Sequence, residues 1–277
     1  WDDPRMPTIA GMRRRGVPAA ALRAFAERVG VAKSAQNAEI ELLEFCIREE
    51  LDGRAERRMV VVDPLKVTIE NFPEEEVRWF EAPRHPQKPE LGTRRVALSR
   101  EIVIEQGDFM LDPPKKFFRL GPGREVRLRY GPIIKCERVV TDEAGEPVEL
   151  VCTFDEDSLD ASKEQRKVKG VIHWASTSAG VPCTVRSYDR LFAVPNPSEV
   201  PEGGDFKDNL NPDSLVVFEH AVAEPEVAQA KPTQSFQLER LGYYVVDAES
   251  PSAQQGKLVL NRTLGLRDSW AKEAKKD

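Results

Sequence analysis

The stretch "RRMVVVDPLKVTIENF" (residues 57–72) marks the point where helical patterns give way to strand patterns. Its continuous apolar run at 59–62 predicts a buried strand. After the Asp63-Pro64 turn signal, apolar residues at positions 65, 67 and 69 alternate with polar ones, which is the period of a half-buried strand. A β fold is therefore expected from residue 57 onward.

The sequence before this stretch has helical patterns, so residues 1–56 are predicted to form a helical subdomain. Thr8 is a candidate N-cap of a short helix, and Pro18 opens a second helix that Gly30 ends. Apolar residues at positions 40, 43, 47 and 51 share one face of a third helix, which Gly53 stops.

Short strand patterns continue toward the end of the chain at spacings of roughly 8–15 residues, without helices between them. Such spacing is typical of barrels or sandwiches. This part of about 215 residues is large for one barrel, so two are expected. The predicted fold class is mainly β with an N-terminal α-helical subdomain and two β-barrels. The Pro- and Gly-rich stretch 194–212 is predicted to be a long connection.

The chain has 277 residues, with 41 Lys and Arg against 47 Asp and Glu, and a formal net charge of −6. This charge argues against wholesale coating of a polyanion, but it allows a local basic groove because charges act over about 8–10 Å at physiological salt. There is no apolar run of about 18 residues and no secretory signal, so a cytoplasmic protein without a membrane span is expected. The chain begins with Trp1 rather than Met, so a piece of a longer product is expected.

The sequence lacks the motifs of common catalytic sites: the phosphate-binding loop, the dinucleotide-binding glycines, the nucleophile elbow and the zinc-protease helix. Its four cysteines form no C-x-x-C pair and its three histidines are scattered, so no metal site is expected and the thiols should be reduced. His173 lies among apolar neighbours and is expected to bond a backbone group. The acidic stretch 153–160 is expected to be a solvated loop.

The segment "KKFFRLGPGREVRLRYG" (residues 115–131) carries six Lys and Arg. Strand alternation places Arg127 and Arg129 on one face, with side chains that leave the backbone about 6.6–7 Å apart. Such a gap can hold an unstacked base, because Arg presents a planar fork of donors. Phe117 and Phe118 lie among the charges, a mixture found in proteins that bind single-stranded nucleic acid. A solvated sheet face is the alternative reading.

Longer stretches resemble glutaminyl-tRNA synthetases, and the resemblance covers essentially the whole chain. The segments that carry it include "WDDPRMPTIAGMRRRG" (1–16), "DPLKVTIENF" (63–72), "GREVRLR" (123–129), "KVKGVIHWAS" (167–176), "SFQLERLGYY" (235–244) and "NRTLGLRDSWAK" (261–272). Archaeal and eukaryotic glutamyl-tRNA synthetases share the architecture, but "GVIHW" and "NRTLGLRDSW" look more like the glutaminyl enzymes.

The resemblance implies a helical subdomain over residues 1–56 and two anticodon-binding β-barrels. The proximal barrel would comprise residues 57–107 together with 216–277, and the distal barrel residues 108–215. In this family the anticodon bases are unstacked and held in pockets near the barrel junction.

The resemblance also implies which residues hold the anticodon. The matching pocket residues are Arg57, Gln237 and Arg240 at the middle base, Arg119 at the third base, Arg127 and Arg129 at the first base and nearby phosphates, and also Gln87 and Lys116. Beside the resemblance, two basic clusters are expected to contact the tRNA backbone or stem, or the catalytic domain in the case of the first, through Arg13, Arg14, Arg15, Lys163 and Lys167. For the second cluster, at 163–170, a solvated loop is the alternative reading.

Four positions depart from the family pattern, and the change at Phe118 puts base contacts there in question. The family's better-studied bacterial members carry Asn, Lys, Gln and Asn where this chain has Gln87, Phe118, Lys116 and Asp52. Phe118 is the largest change, because it removes a charge but supplies an aromatic face for stacking.

The family joins glutamine to tRNA(Gln) with ATP, through an aminoacyl-adenylate. The ATP-binding signature and the KMSKS loop lie upstream of the position that matches Trp1, so this chain is expected to carry recognition and no catalytic site. The expected partners are tRNA(Gln) and the N-terminal catalytic domain. ATP and Mg²⁺ are implied for the full-length enzyme, none is expected in this segment, and a monomer is expected.

Three alternatives remain open from the sequence. The chain could be the anticodon-binding part of a glutamyl-tRNA synthetase, or an RNA-binding barrel module without ligase activity. A protein-interaction scaffold is the third, and it predicts no RNA binding at all.

Overall fold

The computed structural model describes residues 1–31, 33, 38–159, 166–253 and 255–267. Within these ranges the chain forms three α-helices followed by sixteen β-strands, which confirms the predicted mainly β fold with a helical start. The helices are α1 (Ile9–Arg14), α2 (Ala19–Val29) and α3 (Ile40–Asp52). The strands are β1 (Glu56–Arg58), β2 (Val60–Val61), β3 (Pro64–Ile69), β4 (Arg78–Pro83), β5 (Thr93–Leu98), β6 (Glu101–Glu105), β7 (Glu125–Leu128), β8 (Ile133–Thr141), β9 (Pro147–Asp155), β10 (Val171–Ile172), β11 (Ala175–Ser176), β12 (Val181–Tyr188), β13 (Leu215–Ala223), β14 (Ser235–Leu238), β15 (Gly242–Val246) and β16 (Leu258–Gly265).

The helices begin and end near their sequence signals. The Thr8 hydroxyl caps α1 by accepting a hydrogen bond from the Gly11 amide at 3.0 Å. Gly30 ends α2 with a φ of 72°, a conformation that suits glycine. Helices α2 and α3 pack together, and their apolar faces form a small core with Tyr243 and Leu264. No helix in the described ranges is both long enough and apolar enough to cross a membrane.

One seven-stranded sheet, which we call the outer sheet, has the order β1-β14-β15-β16-β12-β13-β2. Its two edge strands are consecutive in the sequence and are separated only by Met59. The sheet must therefore curl until its edges come together, as in a barrel. Its interior holds fully buried apolar residues such as Val185, Phe236 and Leu260.

The other seven-stranded sheet, which we call the inserted sheet, has the order β10-β7-β8-β9-β3-β6-β11. Its edge strands are again consecutive and are separated by His173 and Trp174. Trp174 is 1% exposed and belongs to the core of this sheet. The hairpin of β4 and β5 packs its Ala82, Val96 and Leu98 into the same core.

The strands are grouped differently from the predicted barrel boundaries. The prediction joins residues 57–107 to 216–277, yet β3 pairs with β6 and β9 of the inserted sheet. The prediction also places β12 in the distal barrel, yet β12 pairs with β13 and β16 of the outer sheet.

The inserted sheet therefore takes its strands from residues 64–176, and the outer sheet takes its strands from residues 56–61 and 181–265. The chain does pass from the outer sheet into the inserted sheet and back again. It crosses between β2 and β3 and between β11 and β12, which are not the crossing points that the prediction gives. Local alternation shows that a segment is a strand, but it does not choose that strand's partner.

Candidate nucleic-acid interface

Arg57 and Gln237 are remote in the sequence but lie directly opposite each other on the parallel strands β1 and β14. The Arg57 guanidinium donates to the Ala55 carbonyl at 2.8 Å and to Asp52 Oδ1 at 2.9 Å. Asp52, the last residue of α3, also accepts a hydrogen bond from the Tyr243 hydroxyl at 3.1 Å. Burial, and then the Asp52 charge, raise the pKa of Tyr243 to about 12. The predicted neighbours Arg57 and Gln237 are thus brought together.

Gln237 lines a cavity of about 530 Å³ between α3 and the outer sheet. We call it the glutamine pocket, and it is lined by Phe45, Arg48, Glu49, Asp52, Gln237, Tyr243 and Leu266. The Gln237 Oε1 atom is buried and has no hydrogen-bond partner among the described residues. Leaving such an acceptor unpaired costs about 1–3 kcal/mol. A ligand that donates an N–H here would recover this energy, and an amide is suited to pair with the edge of a base.

Two tight turns, one from each sheet, meet beside this pocket. Turn 129–132 follows β7, and turn 239–241 follows β14. Each turn holds a non-glycine residue in the left-handed region, Tyr130 with a φ of 64° and Arg240 with a φ of 70°. Such backbone strain persists where surrounding contacts fix it, and it concentrates at functional sites.

Glu239 joins the two turns. Its carboxylate is 4% exposed and accepts hydrogen bonds from the Tyr130 hydroxyl at 2.8 Å and from Arg94 Nη2 at 2.7 Å. Arg129 Nε also forms an ion pair with Glu239. Burial, and then the Glu239 charge, raise the pKa of Tyr130. Arg129 is thereby held at the junction of the two sheets.

Arg240 reaches from the outer sheet to Asp108 of the inserted part, with Nη1 to Oδ2 at 2.5 Å and Nη2 to Oδ1 at 2.6 Å. Arg119 Nε lies 3.3 Å from the same carboxylate. Arg240 Nη1 also lies 3.0 Å from His173 Nδ1, and His173 Nε2 lies 3.1 Å from Glu105. The structure thus brings the predicted Arg119 and Arg240 together. It also corrects the expectation for His173, whose ring contacts side chains rather than a backbone group.

A second cavity, of about 620 Å³, opens beside Arg240. We call it the arginine cavity, because six arginines and only two carboxylates, Glu44 and Asp189, line it. The arginines are Arg15, Arg48, Arg190, Arg240, Arg262 and Arg267. Such an excess of guanidinium groups around one space is suited to the phosphates of a nucleic acid.

Sequence reasoning missed Arg48, Arg190, Arg262 and Arg267. They come from α3, from the segment after β12 and from the end of β16, so no local cluster of charges marks them. The available signal was the pair of arginines in "NRTLGLRDSW", Arg262 in β16 and Arg267 just after it, which line the same cavity as Arg240.

Arg127 and Arg129 do not converge on one gap, contrary to the prediction. Arg127 donates to the carbonyls of Gly131 at 3.4 Å and Ser158 at 3.3 Å, whereas Arg129 turns to Glu239. The physical reason is that their acceptors lie in different places: carbonyls of the inserted sheet hold Arg127, whereas a carboxylate of the outer sheet holds Arg129.

Gln87, Lys116 and Phe118 are exposed. Gln87 lies in a turn whose His85 Nε2 lies 2.8 Å from the Asp52 carbonyl, which places this turn against the end of α3 near Arg57. Phe118 is 51% exposed, and its ring is 5.3 Å from the Lys169 ammonium. The aromatic face of Phe118 is therefore accessible beside a positive charge.

The three consecutive arginines at the end of α1, Arg13 to Arg15, differ in their surroundings. Arg13 is exposed, but Arg14 pairs with Asp247 at 3.2 Å. Arg15 donates to the Thr263 carbonyl at 3.0 Å, and burial lowers its pKa. The expected tRNA or catalytic-domain contact therefore fits Arg13 well. Arg14 is engaged within the chain, and Arg15 is both engaged and at the rim of the arginine cavity.

The second basic cluster is only partly described. Lys163 lies outside the described residues, whereas Lys167 is exposed. Arg166 next to it pairs with Glu125 at 2.5 Å. Among the residues that the structure describes, no three His, Cys, Asp or Glu side chains form a group that could hold a metal ion.

Comparison with known proteins gives one consistent match. Two family models, both described as the anticodon-binding domain of class I tRNA synthetases (E and Q), match residues 55–155 and 171–247. The chain is 52% identical over 277 residues to the glutamine–tRNA ligase of Bradyrhizobium diazoefficiens, covering 100% of this chain and 48% of that protein. It is 52% identical over 270 residues to the ligase of Ectopseudomonas mendocina, covering 98% of this chain and 48% of that one. The chain thus spans about half the length of the curated relatives it matches.

Proposed function

This chain belongs to the anticodon-binding domain family of the class I tRNA synthetases for glutamate and glutamine, and we propose that it binds the anticodon loop of tRNA(Gln). It would do so as part of a glutamine–tRNA ligase, which attaches glutamine to tRNA(Gln) with ATP through an aminoacyl-adenylate. ATP and Mg²⁺ would act in the catalytic domain of that protein. The names of the relatives favour this reading over the glutamyl alternative.

The observation that carries the proposal is the glutamine pocket beside the arginine cavity. The pocket offers the unpaired Oε1 of Gln237 next to Arg57, which is the kind of group that reads a base. The cavity offers guanidinium groups, which bind phosphates. An unstacked base in the glutamine pocket would pair with Gln237, while the phosphates of the same RNA strand would lie along the arginine cavity and contact its guanidinium groups.

Selectivity follows from the cost of unpaired groups. A well-made pair of hydrogen bonds to the correct base discriminates by about 1–3 kcal/mol. A wrong base also leaves polar atoms of the pocket buried without partners, at about 1–3 kcal/mol each. Phosphate contacts in the arginine cavity add affinity without regard to sequence.

The test is binding of a tRNA(Gln) anticodon stem-loop, and of versions with single-base changes, at two salt concentrations. Gln237→Ala is expected to reduce discrimination at one base by about 1–3 kcal/mol. Arg262→Ala is expected to weaken all the RNAs alike and to flatten the salt dependence by about one phosphate contact. Arg138→Ala, an exposed arginine of the inserted sheet, is the matched control and should change neither quantity. Equal binding of every RNA by the unmodified chain would contradict the proposal.

The remaining expectations are part of the same proposal. A cytoplasmic location and a monomeric state fit a tRNA-binding protein, and the N-terminal catalytic domain is its expected partner. Sedimentation of the full-length protein with and without tRNA tests the oligomeric state.

A further inference from the structure

Cys136 and Cys152 form a pair of thiols in the core of the inserted sheet. They lie directly opposite each other on the antiparallel strands β8 and β9. Both side chains are fully buried and belong to the same hydrophobic core. The other two cysteines lie in separate cores, Cys46 in that of helices α2 and α3 and Cys183 in that of the outer sheet. All four are free thiols.

The backbone hydrogen bonds of the two cysteines define how closely their side chains approach. The Cys136 amide donates to the Arg124 carbonyl at 3.1 Å, and the Cys136 carbonyl accepts from the Gly123 amide at 2.8 Å. The Cys152 carbonyl accepts from the Glu70 amide at 2.9 Å. These backbone groups therefore point away from the partner cysteine. In an antiparallel ladder such a pair has Cα atoms about 4.5 Å apart and the closer side chains.

The position of this pair in the ladder suits a disulfide bond. Disulfides join residues whose Cα atoms are about 4.4–6.8 Å apart, a range that includes this type of cross-strand pair. The register of β8 against β9 shifts between Cys136 and Arg138, so a bulge follows the pair directly. A bulge locally disrupts the ladder, which lets the two strands adjust to the length of an S–S bond.

The two thiols differ in acidity, and this difference assigns their chemical roles. The hydrogen bond with Cys152 lowers the pKa of Cys136. The hydrogen bond with Cys136, and then burial, raise the pKa of Cys152. The thiolate is the nucleophilic form of cysteine. Cys136 is therefore the sulfur that reacts first, and Cys152 keeps its proton until the second step.

We propose that Cys136 and Cys152 are an oxidation site, which a hydroperoxide converts into a disulfide across β8 and β9. The Cys136 sulfur attacks one oxygen of hydrogen peroxide, the O–O bond breaks, and the released hydroxide takes up the Cys136 proton and leaves as water. The Cys152 sulfur then attacks the sulfenic acid on Cys136 and forms the S–S bond. The displaced hydroxide leaves as water with the Cys152 proton. Two thiols are thus oxidised, and one peroxide is reduced to two waters.

Burial determines when this reaction takes place. Both sulfurs are 0% exposed, so the oxidant reaches them during local opening of the β8–β9 hairpin. The turn of this hairpin, residues 142–146, is exposed. The disulfide then fastens the two strands to each other and restricts the unfolded chain, which raises stability.

The experiment treats the complete chain with hydrogen peroxide under native conditions, alkylates the remaining thiols in denaturant and maps the cysteines by peptide mass spectrometry. The peptides of Cys136 and Cys152 should be linked, with a mass about 2 Da below the sum of the two. Cys46 and Cys183 should be alkylated. Dithiothreitol added before alkylation should return all four cysteines to the alkylated form. The oxidised chain should melt at a higher temperature than the reduced chain.

Two variants test the assigned roles. Cys152→Ser removes the second sulfur, so oxidation should stop at the sulfenic acid of Cys136, which dimedone labels. Cys183→Ser is the matched control, because Cys183 is equally buried but lies in the core of the outer sheet. It should form the disulfide and show the same rise in melting temperature as the wild-type chain. The peptide map of the wild-type chain needs no variant, so it tests the site even if Cys152→Ser does not fold.

Three results would overturn the oxidation site. The first is a chain with all four cysteines alkylated after a peroxide dose that converts Met110, which is 41% exposed, to its sulfoxide. The second is linkage of Cys136 or Cys152 to Cys46, to Cys183 or to a second chain. The third is a rise in melting temperature that persists in Cys152→Ser. The measurements involve no RNA, so they leave the proposed function to its own test.

Discussion

Arg14 Nε lies 3.2 Å from Asp247 Oδ2, although 233 positions separate the two residues in the chain. Asp247 is 1% exposed. The first helix is therefore fastened to the end of β15 by a charge pair that the outer sheet largely covers. The segment "GMRRRG" thus contributes to stability through Arg14, independently of any contact that the exposed Arg13 makes.

Arg14→Ala is expected to lower the free energy of unfolding by about 1–3 kcal/mol, because it leaves a buried carboxylate with fewer partners. Arg13→Ala, its exposed neighbour, should change it by less than about 0.5 kcal/mol. Urea unfolding of the two variants and the wild-type chain measures both. Equal destabilisation by the two changes would contradict the assignment.

The pair of Arg14 and Asp247 also makes the free energy of unfolding depend on pH. Burial acts to raise the pKa of Asp247, but hydrogen bonds from the Glu249 amide, Asn261 and Arg14 hold it below its usual 3.8. A depressed pKa in the folded state means that the stabilisation is present above pH 3.8 and is lost as pH falls through the folded-state value. The stability difference between wild type and Arg14→Ala should therefore be constant near neutrality and shrink below about pH 4. A difference that does not shrink as the pH is lowered below 3.8 would rule this out.

Gln237→Leu should separate stability from recognition. The substitution removes a buried acceptor that has no partner, so the melting temperature should stay the same or rise, while base discrimination falls by about 1–3 kcal/mol. Gln234→Leu is the matched control. Gln234 Oε1 accepts from the Lys231 amide at 3.1 Å, so its loss should lower stability slightly without altering RNA binding. A large stability loss in Gln237→Leu would show that Oε1 is already satisfied within the chain.

Phe118→Ala tests the aromatic residue that, by the resemblance, replaces a Lys of the family pattern. Phe118 is exposed, so folding should be unaffected, whereas loss of a stacking face should weaken stem-loop binding by about 1–3 kcal/mol. Phe206→Ala is a close control, because Phe206 is 50% exposed and has the Lys207 ammonium 5.8 Å from its ring. Titrations of both variants with the stem-loop compare their losses of binding affinity. Equal effects on binding would remove the special role of Phe118.

Strand positions and helix ends could be predicted from the sequence because they depend on local patterns. Alternation after Asp63-Pro64 and the cap at Thr8 each act within a few residues, and the structure has them nearly where expected. Strand partners could not be predicted in the same way. The pairing of 64–69 with 147–155 depends on which apolar faces complete a common core, and that information is spread over the whole chain.

The candidate site was predictable only as far as family resemblance reaches. The resemblance led to Arg57 and Gln237, which the structure places on neighbouring strands. Residue type alone could not show that Arg15 would bond backbone carbonyls, because its partners at 188, 189 and 263 come close only in the fold. Residue type alone could not reveal Asp108 either, because Arg119 and Arg240 come close to this single acidic residue only in the fold.

The path of the chain between its two sheets makes the inserted unit separable in principle. Val61 leaves the outer sheet on one side of Val222, and Pro182 returns on the other side of the same residue. With strands about 4.8 Å apart, the departure and return points are only about 10 Å from each other. Roughly three or four residues could span that gap, so the intervening segment is topologically a cassette. Exchanging this segment between relatives would replace the turns that the inserted sheet contributes to the junction. The order and connections of the strands in the outer sheet would stay the same.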